Sequence, residues 1–148
     1  MKTFKDSKNV SWDISITVGT IKRIKDITGI DVFEESAKQK NIFITVSEDP
    51  ILLCNILYAI CKPQADERKI TDEQFGESMG GDAIEHATNC FIEELIDFFP
   101  SAKRPAFRKM TEKITEMTSK GIIYMTEYLD SPELEKKIMN QIKNESGM

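Results

Sequence analysis

The sequence predicts a mainly α-helical chain with a small β-hairpin at its N-terminus. Three observations carry that expectation. Hydrophobic residues alternate with period two in "VSWDISI", then change to helical spacing near residue 17. Helix-start chemistry recurs at "SEDP", "TDEQ" and "DSPE". Beyond residue 100 the chain reads as amphipathic helix with no further strand pattern.

Taken in order, "KTFKD" forms a first strand, "SKN" a turn, and "VSWDISI" a second strand with Val10, Trp12, Ile14 and Ile16 on one face. Residues 17–28 form a helix with Val18, Ile21, Ile24 and Thr28 on one side, closed by Gly29 in a left-handed turn. "DVFEESAKQK" makes a short second helix and "NIFITV" a short strand or extended connection. Asp49 caps the next helix, with Pro50 at its first position, where a missing N–H costs nothing. "ILLCNILYAIC" is apolar nearly all round, so this is the central buried helix, followed by a polar loop, "KPQADERKI". Thr71 and Gln74 set up a capping box. Gly80 and Gly81 break that short helix. Asp82 caps the next, which runs to about Phe99 and stops at Pro100.

The helix restarts near Ser101 or Arg104 and continues to about Leu129, with Phe107, Met110, Ile114, Met117, Ile122 and Met125 as its apolar positions and a Tyr124–Tyr128 pair. Ser131 caps the last helix, with Pro132 at its first position and "ESGM" fraying. The cleanest break lies between Pro100 and Pro105. It separates a compact body, residues 1–100, from a C-terminal helical arm, residues 101–148, within one domain overall.

Composition narrows function. The longest apolar stretch, residues 51–61, falls far short of the roughly 20 residues that span a bilayer. "MKTFKDSKNV" has no apolar signal region. Three widely spaced cysteines read as reduced, mostly buried thiols of a cytoplasmic protein. Residues 49–100 carry 3 basic and 11 acidic groups, a net −8, which opposes a nucleic-acid groove there.

The stretch "GGDAIEHATNC" holds the only histidine, His86, four residues before Cys90. A Cys–His catalytic pair needs an orienting third group and an oxyanion site, and neither accompanies these residues. Zinc needs about four ligands, and the cysteine spacings match no common pattern. The plainer reading is a half-buried Cys beside a boundary His, with Ala83, Ala87, Cys90, Phe91, Leu95 and Phe98 as core and Glu85, Glu93, Glu94 and Asp97 as the wet face. No catalytic residue, metal or cofactor is expected.

"WDISITVGTIKRIKDITGIDVFE" and "SEDPILLCNILYAICKPQADERKITDEQFGESMGGDAIEHATNCFIEELIDFFP" together resemble the tail assembly chaperones of long-tailed bacteriophages and prophages. The layout rests on Trp12, Gly29 with Asp31, Tyr58, Thr71 with Phe75, and Phe98 with Phe99, and covers about residues 8–100. The resemblance implies a non-enzymatic protein of the host bacterial cytoplasm. Such a protein keeps the long, helix-rich tape measure protein soluble and helps tail tube subunits assemble around it. It also implies that a second, longer product can arise by frameshifting. The expected partners are the tape measure and tail tube proteins and a second copy, with neither nucleic acid nor membrane. Phe107, Met110, Ile114, Met117, Ile122 and Met125 are the candidate partner-binding residues, because unbranched Met side chains repack against varied shapes. Two other classes compete: a small helical structural or regulatory adaptor dimerising through residues 105–145, and an enzyme using Cys90 and His86.

Overall fold

The computed structural model describes residues 1–35 and 42–147. It divides into two units, Met1–Arg108 and Lys109–Met148. The first opens with an antiparallel hairpin of β1 (Lys2–Lys5) and β2 (Ser11–Ile14), in which Phe4 faces Trp12 and Lys2 faces Ile14. Helices follow, as the sequence predicts, so the chain is mainly α with a small N-terminal hairpin.

The hairpin turn is built on one carboxylate. Buried Asp6 accepts the backbone N–H groups of Lys8 and Val10 at Oδ1 and the indole N–H of Trp12 at Oδ2, each at 2.9 Å. Asn9, at φ 64°, supplies the left-handed step, a conformation that Asn tolerates better than most residues. The edge of β2 away from β1 is met by side chains of α4 (Pro50–Glu67) and its C-cap. Gln64 accepts from the Asp13 N–H and donates to the Asp13 carbonyl, both at 2.9 Å. Arg68 donates to the Ser11 carbonyl at 2.7 Å.

Thr17 caps α1 (Val18–Thr28) by accepting from the Thr20 N–H, so the helix starts one residue later than the sequence predicts, and Gly29 closes it at φ 78° in the predicted left-handed turn. The buried face differs from the one expected. Thr20 and Ile24 point inward, while Val18, in the first turn, is 64% exposed. The second short helix is α2 (Val32–Glu35), and the rest of the "SAKQK" expectation lies outside the described residues. Residues 42–46 of "NIFITV" are helix where a strand or extended connection is expected: α3 spans Ile42–Glu48 and buries Ile42, Phe43 and Val46. Three- and four-residue steps put those side chains on one face, and that burial overrides the β-branched composition.

Asp49 caps α4 through the Leu52 N–H. The helix runs well past the expected end at Cys61, straight through Pro63 to Glu67. An interior proline removes the bond to the carbonyl four residues back, here that of Ala59. Arg23 on α1 supplies the replacement, with Nε donating to Ala59 O at 2.7 Å and Nη2 to Ile60 O at 3.0 Å. The expected polar loop is thus the last turns of the central helix, anchored by Gln64 and by buried Ala65.

The capping box at Thr71 and Gln74 is present and opens α5 (Asp72–Glu77). Its Phe75 meets Trp12 edge-on at 5.0 Å and Tyr58 at 5.6 Å, and the Arg68 guanidinium lies 4.6 Å over the Trp12 ring. Trp12, 1% exposed, therefore packs on α5 and the end of α4. Next comes α6 (Asp82–Phe98). Its N-cap is Gly81, at φ 55° and without a side-chain bond, so Asp82 sits in the first turn and does not cap. There its charge still suits the helix dipole. Ala83, Ala87, Phe91 and Leu95 are buried as expected, with Ile96 added. Glu94 departs from the wet face: it is 8% exposed and pairs with the Met1 ammonium at 2.9 Å.

The end of α6 is held by Arg104, which donates to the Phe99 and Asp97 carbonyls, both at 2.9 Å. Here α7 (Arg104–Leu129) begins. Phe107 stacks on Phe99 at 4.2 Å and lies 5.6 Å from Phe43, and Phe33 of α2 stacks on the same Phe99 at 5.7 Å. No single helix among the described residues is long and apolar enough to cross a membrane. Taken as a pair, α3 and α4 reach that composition, but they are bent by 114°.

In the second unit, α7 continues to Leu129, and Ser131 caps α8 (Pro132–Ser146) through the Leu134 N–H. Helix persists through Glu145 and Ser146, where fraying was expected, and Gly147 ends it at φ 73°. Neither helix buries a side chain.

Candidate functional site

Three places in the fold collect reactive or unpaired chemistry. At His86 and Cys90, the imidazole lies on the exposed side of α6 and the thiol is half-buried. Cys90 donates to the Thr3 carbonyl across to β1 at 3.8 Å. Burial pushes its pKa up, Lys2 pulls it back, and Glu94 pushes it further up. A thiol held protonated at neutral pH is the reverse of an activated nucleophile, which requires a lowered pKa. Among the described residues no group of three or more His, Cys, Asp or Glu side chains is placed to hold a metal ion.

A second place is a shallow apolar cleft of about 340 Å³. Pro50, Ile51 and Cys54 of α4 form one side, Asp72 and Gly76 of α5 another, and Ile84 of α6 closes it. Ile51 is 74% exposed, and the Cys54 thiol is pushed up in pKa by burial and then by Asp72. The sequence does not reveal this cleft, because a helix apolar all round gives no sign of which side stays open.

The third place is the arm. Of the six candidate partner-binding residues, the structure separates one from the rest. Phe107 is half-buried in the first unit, against Phe43 and Phe99. In the second unit Met110 and Ile114 are half-buried, while Met117, Ile122 and Met125 stand 62–63% exposed. Tyr124 at 72% and Leu129 at 61% join them, and α8 adds Ile138, Met139 and Ile142. Charge on these helices is paired along the surface, Lys120 with Glu116 at 2.8 Å and Lys137 with Glu133 at 3.9 Å. Single exposed apolar residues are ordinary on a protein surface, but a run of this length on two successive helices is not. It is an open stripe that holds several Met side chains and has a charged border. Comparison with protein-family models, with curated proteins and with solved structures gave no match.

Proposed function

We propose that this protein is a non-enzymatic tail assembly chaperone of a phage or prophage. In this reading it holds a tape measure protein in solution while tail tube subunits assemble around it. The observation that carries the reading is the arm: 39 consecutive residues, 109–147, form two helices without one buried side chain. Exposed apolar surface costs roughly 25 cal/mol per Å² relative to burial, so a stripe of this kind lowers its free energy by taking a partner. A helix-rich client with apolar repeats is the complementary surface, since an amphipathic helix buries its stripe against another. The mostly acidic body, with net −8 over residues 49–100, supplies the charge that keeps such a complex dispersed.

The test is co-expression of the full chain with a helix-rich tape measure protein that is insoluble alone. Co-expression should move the client into the soluble fraction. Met117→Asp with Met125→Asp should return it to the pellet while the helix content of the chain stays unchanged. A client equally soluble with the natural chain and with the double variant would overturn the reading.

A further inference from the structure

Within the second unit, the inner part of α7 carries a seven-residue repeat. Ile114, Gly121 and Tyr128 occupy one set of seam positions, and Met117 and Tyr124 the other. Lys113, Lys120 and Glu127 flank the seam on one side, and Thr118 and Met125 on the other. A seam of period seven is the geometry that lets two helices lie side by side over several turns. Met117 and Tyr124 on that seam are 63% and 72% exposed. A Cβ placed on Gly121 would meet nothing within 4 Å, so the seam has an open notch at its centre.

From this notch and its flanking charges we infer that the occupant of the α7 seam, when no client is present, is the α7 seam of a second copy running antiparallel. As an account of how the client surface is held at rest, it builds on the reading above. The register follows from shape and charge. With Met117 set over Gly121 of the second copy, an unbranched and adaptable seam side chain fills the notch, and this happens twice by symmetry. The same register sets Ile114 against Tyr124 of the second copy. It also brings Lys113 beside Glu127 of the second copy, again twice, so opposite charges border the seam. The two Lys120 side chains approach each other at the centre, where each is already held by its own Glu116 at 2.8 Å.

Other arrangements fit worse. Sliding one repeat in one direction puts Lys113 against Lys120 of the second copy, a like-charge pair. Sliding one repeat the other way pairs Lys120 with Glu127 of the second copy but sets Ile114 against Ser131, which is already engaged as the cap of α8. A parallel pair would place Gly121 opposite Gly121, leaving a void, and would set Lys113 and Lys120 beside Thr118 and Met125, with no charge partner. The covered area is on the order of 500 Å² per copy, at the low end for a specific complex, so the dimer is weak and exchangeable. A client helix can therefore displace it.

The test measures the mass of the full chain by sedimentation equilibrium from low micromolar concentration to about 200 µM. A monomer–dimer equilibrium is expected. Lys113→Glu, or Glu127→Lys, should each weaken the dimer about tenfold by turning both attractions into repulsions. The Lys113→Glu/Glu127→Lys pair should restore it, and circular dichroism should show the helices intact throughout. A chain monomeric over the whole range, a single variant without effect, or a double variant without rescue would each overturn the proposal. A monomeric chain that still holds a tape measure protein in solution removes the self-pairing alone. A charge-rescued dimer that leaves the client in the pellet removes the chaperone reading alone.

Discussion

Arg23 and Pro63 lie on different helices, and the first completes what the second removes. Pro63 leaves Ala59 O without its helical donor, and the Arg23 guanidinium occupies that carbonyl at 2.7 Å, with Ile60 O beside it at 3.0 Å. A charged donor to a backbone acceptor in a part-buried setting contributes about 1.5–3 kcal/mol. Arg23→Met should lower stability in urea by about that much. In a Pro63→Ala background the restored N–H can serve Ala59 O, and the cost of Arg23→Met should fall to under about 1 kcal/mol. Equal costs in the two backgrounds would show that the arginine acts through something other than this carbonyl.

Asp6 holds the hairpin turn with three donors. Asp6→Asn keeps one oxygen but turns an amide N–H toward the Trp12 indole N–H or toward the backbone donors. A loss of about 2–3 kcal/mol is expected in urea denaturation. Trp12→Ala, which empties the space beside Phe75, should cost about 3–5 kcal/mol. The native chain should show the fluorescence of a buried indole, and an emission maximum at the position of free tryptophan would contradict the packing.

Phe107 joins the first unit through Phe43 and Phe99. Ending the chain after Arg108 should leave a cooperatively folded body. Ending it after Ser101 removes Phe107 and also Arg104, which tops the end of α6. That second cut should lower the melting temperature by about 8 °C or more, the equivalent of losing roughly 2 kcal/mol. Coincident melting curves for the two fragments would refute the role given to Phe107.

Cys61 is fully buried, and desolvation pushes its thiol up to about 12 despite the nearby Arg68 and Arg23. Because the folded-state value lies above the unfolded one, the associated stability is complete below about pH 9. It is then lost as pH rises toward 12. Stability should fall by about 1.4 kcal/mol per pH unit through that window from this group alone. Cys61→Ala should have a flatter alkaline limb than the natural chain. Identical limbs would mean that the thiol titrates normally.

Local chemistry made much of the fold legible. Thr17, Asp49 with Pro50, Thr71 with Gln74, and Ser131 with Pro132 each act within one turn, and each starts its helix within one residue of where the sequence places it. What could not be read depends on distant partners. The continuation of α4 through Pro63 needs Arg23, 40 positions earlier in the chain. The burial of Glu94 goes with the Met1 ammonium. The helical state of α3 is set by what its face packs on, since Val, Ile and Thr by composition favour a strand. In the candidate site, the apolar stripe of α7 was visible as periodicity. Periodicity does not tell a covered stripe from an open one, so it groups Phe107 with Met117 although the two have different surroundings.

The pairing of Gln64 with Asp13 bears on how copies of this chain avoid one another. A two-stranded ribbon leaves N–H and C=O groups along its free edge, and such an edge recruits strands from other molecules. Here the outward N–H and C=O of Asp13 are both occupied by one side-chain amide, and Ser11 O by an arginine. The amide of Gln64 thus stands in for a third strand one residue long. It leaves an incoming β-segment nothing to pair with at Asp13, and so keeps contact between copies away from β-aggregation, on a chain whose arm is rich in exposed apolar surface.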